Sequence, residues 1–421
     1  MSERIVIDFD DEKDKPKPKP EESRIVIDLD EEKKVIDIEK IEESREQRIS
    51  NSKINSYYCG GPDLSKYVET DIRFPEGIDH GFRKKFSTKI KDEFFNSILE
   101  NNRYIILSSR NGSVYLIDRF TGKVKDKNFF EHENFEKTGL VFENTIYLNS
   151  LKRIIKFSDS GGEKIRSEEV YRSPKDYFIW SSINRYGSDL VFIEYSLSSR
   201  TAVLRTVNPD QENATGEFSF NIHSFVSDKV CIAEGSCYVL FDTNILVYDL
   251  EKKRGTEYLL DIKTDENSFI FYLNHRLYIT SHLNELYYLD LPPANFKFRN
   301  TGIKNNYINS VGGFGDNIFA GTLLGWKYYK ASGLQIHDFE DEYENKIECI
   351  SKNVLVVSKK NKIVFCNLNR FQEAESYVIS SNERNEAVEI VSAILSNNEI
   401  FVLTKNGVLE CFTNDKMNIH I

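Results

Sequence analysis

Seven histidines, six cysteines and a run of acids near the start are the residue types here that could do chemistry, and their spacing decides what chemistry. His275 and His282 stand seven apart on one predicted hairpin, where facing imidazoles would suit zinc, but neither has a carboxylate or cysteine at a coordinating interval. His80, His132, His223, His337 and His420 stand apart. Cys59, Cys231, Cys237, Cys349, Cys366 and Cys411 are scattered, five of them inside strand-like runs and none in a Cys-x-x-Cys pair. They read as small buried hydrophobes held reduced. "DFDDEKD", Asp8 to Asp14, starts like a calcium loop but has Lys13 where the loop needs glycine and no closing glutamate in register. No nucleophile elbow, phosphate loop or dinucleotide-binding glycine motif occurs. The residues therefore imply no metal, no cofactor and no locally encoded catalytic set.

A repetition is more informative. "RIVIDFDDE", Arg4 to Glu12, returns as "RIVIDLDEE", Arg24 to Glu32, with "KDKPKPKPEE" between them, and a shorter copy follows at Val35 to Ile38. The β-branched triplet favours an extended strand. The acids that follow suit display better than a core. Alternating Lys and Pro forbid helix and central strand, so the segment between the copies reads as an extended spacer. Residues 1–50 hold 17 acidic and 11 basic side chains, and more than half of the net charge of −11 falls there. No strongly basic face is implied, so nucleic acid is not an expected partner. The start has no secretory apolar stretch and no segment approaches eighteen apolar residues, so a soluble cytoplasmic protein with no membrane partner is expected.

The elements that would carry any site are strands. "NRYIILSSRNGSVYLIDRFTGKV", Asn102 to Val124, is an apolar strand, an Asn-Gly turn, a second strand ending in Asp118 and then Thr-Gly-Lys, which is a strong hairpin signal. The plan recurs, and the residues ending each second strand are Asp118, Ser158, Asn208, Asp249, Asp290, Lys330, Asn367 and Thr413, a period of about forty. Strands at that period with no helix between them signal a β-propeller, whose four-stranded blades bury both faces only by packing radially. Eight markers imply an all-β, eight-bladed β-propeller, with seven blades as the alternative count. Little chain follows Asp415, so "FRKKFST", Phe82 to Thr88, is expected to supply the outer strand of the last blade. Residues 1–75 are expected to be a mostly disordered acidic tail and 76–421 the propeller. The glycine-rich "GGFGDN", Gly312 to Asn317, is expected to be a loop between blades.

Two resemblances follow. "LSSRNGSVYLIDRFTGKV" resembles the pyrroloquinoline-quinone-type propeller repeat, a group that includes quinoprotein dehydrogenases and a scaffold propeller of outer-membrane protein assembly. The dehydrogenase repeats carry a tryptophan after the Thr-Gly-Lys turn; Val124 to Phe130 has none, and Trp180 and Trp326 sit elsewhere. The resemblance implies the fold, and it keeps open a propeller enzyme, a quinoprotein-like oxidoreductase or a hydrolase using the central channel. The tail copies resemble SUMO-interacting motifs: Ile5, Val6, Ile7, Asp8 and Phe9; Ile25, Val26, Ile27, Asp28 and Leu29; and, loosely, Val35, Ile36, Asp37 and Ile38. That likeness implies a partner with a free sheet edge, SUMO-like or otherwise, to which the peptide adds a strand.

The function expected from the sequence is a non-catalytic scaffold, with one protein on the propeller rim and another recruited by the tail. Proline removes a ladder donor and bends the strand. Ile27→Pro is therefore expected to silence one copy, and Ile7→Pro with Ile27→Pro to abolish recruitment in a pull-down; full recovery by the double variant would show that the repetition is not a docking device.

Overall fold

The structure, a computed structural model, describes residues 24–29, 32–37, 64–68, 82–159, 165–211, 214–293, 295–305, 307–368, 372–378, 389–396 and 399–413. The chain divides into two units, Met1–Asn51 and Ser52–Ile421. In the first, Arg24–Leu29 pairs antiparallel with Glu32–Asp37, in a register that sets Ile25 opposite Ile36 and Val26 opposite Val35. The strands that hold the second copy and most of the third thus pair with each other. Ile5 to Phe9 and Ile38 lie outside the described residues.

The second unit is an eight-bladed propeller, which removes the seven-bladed alternative. Its sheets run over Leu99–Phe129, Leu140–Arg172, Phe178–Asn221, Cys231–Leu259, Ile270–Lys304, Ser310–Glu340, Asn345–Val378 and Ile390–Thr413, numbered here blades 1 to 8. Each is an antiparallel meander with its first strand innermost. In blade 3 the inner strand is broken in two, Phe178–Ile179 and Asn184–Tyr186, both pairing with Asp189–Ser196. The second strand of each hairpin ends within a residue of its sequence marker.

Burial explains the strand compositions. Middle strands such as Val354–Lys359 and Glu399–Thr404 are buried along almost their whole length because neighbouring blades cover both faces, so they are apolar without alternation. Outer strands such as Val124–Phe129 alternate between exposed and half-buried positions and carry charge. The apolar clusters bridge blades: Ile105 and Leu107 of blade 1 share one with Phe401, Leu403 and Leu409 of blade 8. The Asp118 marker has a structural job, since its Oδ1 accepts bonds from the backbone of Phe120 and Thr121 and from the Thr121 hydroxyl, at 2.9–3.1 Å, which fixes the turn to the outer strand.

Ring closure is as expected. Arg83–Lys89 pairs antiparallel with Val408–Thr413 and becomes the outer strand of blade 8. Thr88 Oγ1 donates to the Gly122 carbonyl at 2.6 Å, and a Cβ on Gly122, whose φ is +70°, would stand 2.4 Å from the Phe86 ring. Beside this seam lies a buried ionic clasp. Arg119 is fully buried, bonds Glu100 of blade 1, and reaches Glu399 at 3.4 Å and Ser396 Oγ at 3.2 Å in blade 8; Lys85 of the closing strand holds the other Glu399 oxygen at 2.9 Å. Burial pushes the Glu100 carboxyl above its ordinary range, and Arg119 opposes that rise.

Arg119→Met leaves two buried carboxylates with less cation. It is expected to cost about 3–5 kcal/mol at neutral pH, the usual loss when one partner of a buried pair is removed. Without Arg119 the Glu100 carboxyl rises further, so the folded variant holds a proton that the unfolded chain releases, and its deficit should grow as pH climbs above the ordinary carboxyl value. Denaturant melts between pH 4.5 and 8 check this; a deficit independent of pH would contradict the clasp.

Candidate functional site

A meander of four strands places its turns systematically. Connections between blades and the turns joining second to third strands lie on one face of the ring, here the upper face; the other turns lie on the lower face. Of the fourteen large apolar side chains exposed among the described residues, nine belong to the upper face and only Leu334 to the lower connections. Leu151, Leu197, Leu283 and the pair Leu323-Leu324 occupy the second-to-third-strand turns of blades 2, 3, 5 and 6. Phe95, Tyr307 and Tyr343 stand in connections between blades. Trp180 lies at the break in blade 3, its Nε1 donating to the Val226 carbonyl at 2.9 Å.

The channel inside the ring is occupied by the protein's own chain. Leu64–Val68, expected in the tail, passes between the inner strands of blades 6 and 7. Gly313 N–H donates to the Ser65 carbonyl (2.9 Å), Ile350 N–H to the Lys66 carbonyl (2.9 Å) and Val68 N–H to the Ile350 carbonyl (2.8 Å), with Tyr67 bridging Ile350 in parallel. The Tyr67 ring stacks on Phe314 at 5.5 Å, and Leu64 joins the core of blades 4 to 6. The supposed loop at Gly312 to Asn317 is corrected here: Ser310–Phe314 is the inner strand of blade 6. Its glycine has a steric reason, since a Cβ on Gly312 would meet the Ser65 carbonyl oxygen at 2.6 Å and the Lys66 Cβ at 3.1 Å.

At the upper mouth of the channel is a cavity of about 80 Å³ lined by Leu64, Lys66, Lys229, Phe269, Ile270, Asn309, Val311 and Lys346. Lys66 is buried and donates its ammonium to the Ile347 carbonyl. Lys346 reaches Glu348 at 3.1 Å and the Val391 carbonyl at 3.1 Å. Lys229 pairs with Asp228 at 3.3 Å and lies over the Phe269 ring; Lys137, from the connection between blades 1 and 2, holds the other Asp228 oxygen at 2.7 Å. Burial would raise the Asp228 carboxyl, but Lys229 and Lys137 outweigh it and bring it down to about 2.

The residues singled out for metal chemistry do not converge. His275 and His282 flank opposite ends of the strand Arg276–Thr280, so they do not face each other; His275 instead pairs with Glu234 at 2.7 Å. The five described cysteines are buried, and burial pushes the Cys237 and Cys349 thiols far up. The upper-face residues were missed because a turn leucine has no motif, although "HLNE" and "TLLG" put leucine where turns ordinarily carry Asn, Asp or Gly.

Neither a known family profile nor any curated protein matches the sequence. The fold is nevertheless similar to solved propellers. BamB from Moraxella catarrhalis is 11% identical, with a TM-score of 0.55 over 79% of this chain and 99% of that one. A quinohemoprotein alcohol dehydrogenase from Pseudomonas putida is 8% identical (TM-score 0.60, over 88% and 82%), and Sqt1 from Saccharomyces cerevisiae is 12% identical (TM-score 0.56, over 78% and 97%). The likeness is one of fold, a β-propeller.

Gly312→Val should displace the channel strand, because no rotamer clears the Ser65 carbonyl. Trypsin is expected to cut after Lys66 in the variant and to spare that bond in the parent, with a stability loss of about 1–3 kcal/mol. Equal protection of Lys66 in both would show that the strand is not held by this contact.

Proposed function

We propose that this protein is a non-catalytic binding propeller that holds a protein partner across its upper face, with the tail as a second docking element. The observation that carries the proposal is the one-sided distribution of exposed apolar side chains. Scattered exposed leucines are ordinary on any protein. Nine on one face against one on the opposite connections is a sorting that turn geometry does not require, since Leu151, Leu197, Leu283, Leu323 and Leu324 stand in short turns where a polar residue would serve. The leucines fall in blades 2 and 3 and again in blades 5 and 6, while the corresponding turns of blades 1, 4, 7 and 8 carry Arg110, Thr243, Asn361 and Asn406. Two apolar arcs with polar gaps favour an elongated partner lying across the mouth.

The competing reading is an enzyme using the channel, as the fold of the quinohemoprotein suggests. Occupation of the channel by Leu64–Val68 weighs against it, because the space where a substrate would sit holds backbone and the Lys66 side chain. In the tail, Arg24–Leu29 uses one edge to pair with Glu32–Asp37, and the proposed docking adds a partner strand at the other edge.

Affinity capture from cell extract, with the full chain as bait, tests the first part. Leu283→Ser with Leu324→Ser is expected to lose the partner captured by the parent, whereas Leu334→Ser, on the lower face, retains it. Retention by the double variant sinks the upper-face reading. A melting-temperature rise on adding pyrroloquinoline quinone with calcium would favour the enzyme instead.

A further inference from the structure

The cavity at the channel mouth has a composition that the apolar arcs do not explain. Three lysines line it, from three separate parts of the fold. Lys66 comes from the channel strand, Lys229 from the connection between blades 3 and 4, and Lys346 from the head of the inner strand of blade 7. No carboxylate is among the described residues of the lining. The acids that partner Lys229 and Lys346, Asp228 and Glu348, stand outside it, and Asp228 is shared with Lys137. In a protein of net charge −11 this is a local reversal of sign at the centre of the face proposed for docking.

Size narrows the occupant. About 80 Å³ is several times the roughly 10–15 Å³ that one water needs. It falls well below the roughly 300–1,000 Å³ of sites for drug-sized ligands and cofactors. A carboxylate with the end of its side chain fits; a nucleotide or a quinone does not. The remaining walls, Leu64, Phe269, Ile270 and Val311, are apolar and lower the local dielectric, so a paired charge counts for more here than on open surface.

We propose that this cavity receives the carboxylate of an aspartate or glutamate from an acidic peptide segment of the protein partner, held by Lys66, Lys229 and Lys346. The proposal rests on the reading of the upper face as a docking surface and adds the chemistry of its central anchor. An acid in the middle, with apolar contacts on the flanking leucines, matches the common plan of a desolvated central contact inside a water-excluding ring. The net negative charge of the protein disfavours acids over much of its surface, so the anchor also favours one orientation.

The test uses the full chain and a random dodecapeptide display library. Selected peptides are expected to share an Asp or Glu at one position, with apolar neighbours. For one resynthesised peptide containing Glu, Glu→Gln should weaken binding at least tenfold. Lys229→Met with Lys346→Met should weaken the parent peptide to the same level and leave the Gln peptide unaffected. The peptide change leaves the protein untouched, so a folding defect in the lysine variant cannot produce the whole pattern. Affinity for the Glu peptide, and not for its Gln form, should also fall between 50 and 200 mM salt. The proposal is overturned if selected peptides share no acid, or if the Gln peptide binds as tightly. If Leu283→Ser with Leu324→Ser abolishes binding while the lysine variant binds normally, the docking face stands and the anchor falls. If neither pair of substitutions matters, both fall.

Discussion

A four-stranded blade cannot cover both of its faces, so the first and last blades each keep an open face until the ring is complete, and completion depends on one pairing across the whole chain. Arg83–Lys89 lies on Val408–Thr413, and that ladder turns an exposed edge into an interior one. The parts around it reinforce the same junction. The Thr88 hydroxyl ties the closing strand to blade 1, Phe86 fills the space left by Gly122, and the Arg119 clasp joins Glu100 to Glu399 across the seam. A buried ion network seldom adds net stability over an apolar substitute. What it does here is tie Glu100 of blade 1 and Glu399 of blade 8 to one guanidinium across the seam.

Much of this architecture was legible from the chain. The middle strands are apolar and β-branched, their turns hold Asn-Gly or Asp, and the period near forty leaves no room for helices, so the number of blades and the closing strand followed. What escaped was encoded elsewhere. Ser65 to Tyr67 show no strand pattern of their own, and their partners, Gly313 and Ile350, are about 250 and 280 residues away, so neighbouring sequence cannot reveal them. The clue lay on the other side of the contact. Consecutive glycines in a segment bounded by Ser310 and Phe314 read as a loop by composition, yet a strand needs glycine where another backbone comes this close. The lysines of the cavity come from three distant stretches with no local signature, and only the closed ring brings them together.

The upper face and the filled channel make one functional picture. A propeller whose axis is open offers a deep site for a small molecule; here Leu64–Val68 lies along that axis, which is why the proposed function is recognition across the upper face. Lys66 connects the two features, since the strand that fills the channel also brings an ammonium group to its mouth. On the proposed reading, the sorting of leucines into two pairs of blades favours a partner that crosses the mouth over one that caps the whole disc.

The closing strand has a further consequence, for the ribosome. Arg83 is paired with Thr413, so the outer strand of blade 8 has no partner until more than three hundred further residues have been made. At about 5–20 residues per second, the early strand waits roughly 15–65 s for its mate. During that interval it must stay unpaired while successive blades appear. Its sequence is suited to the wait, since Arg83, Lys84, Lys85 and Lys89 keep a nascent edge charged and poor at joining another copy.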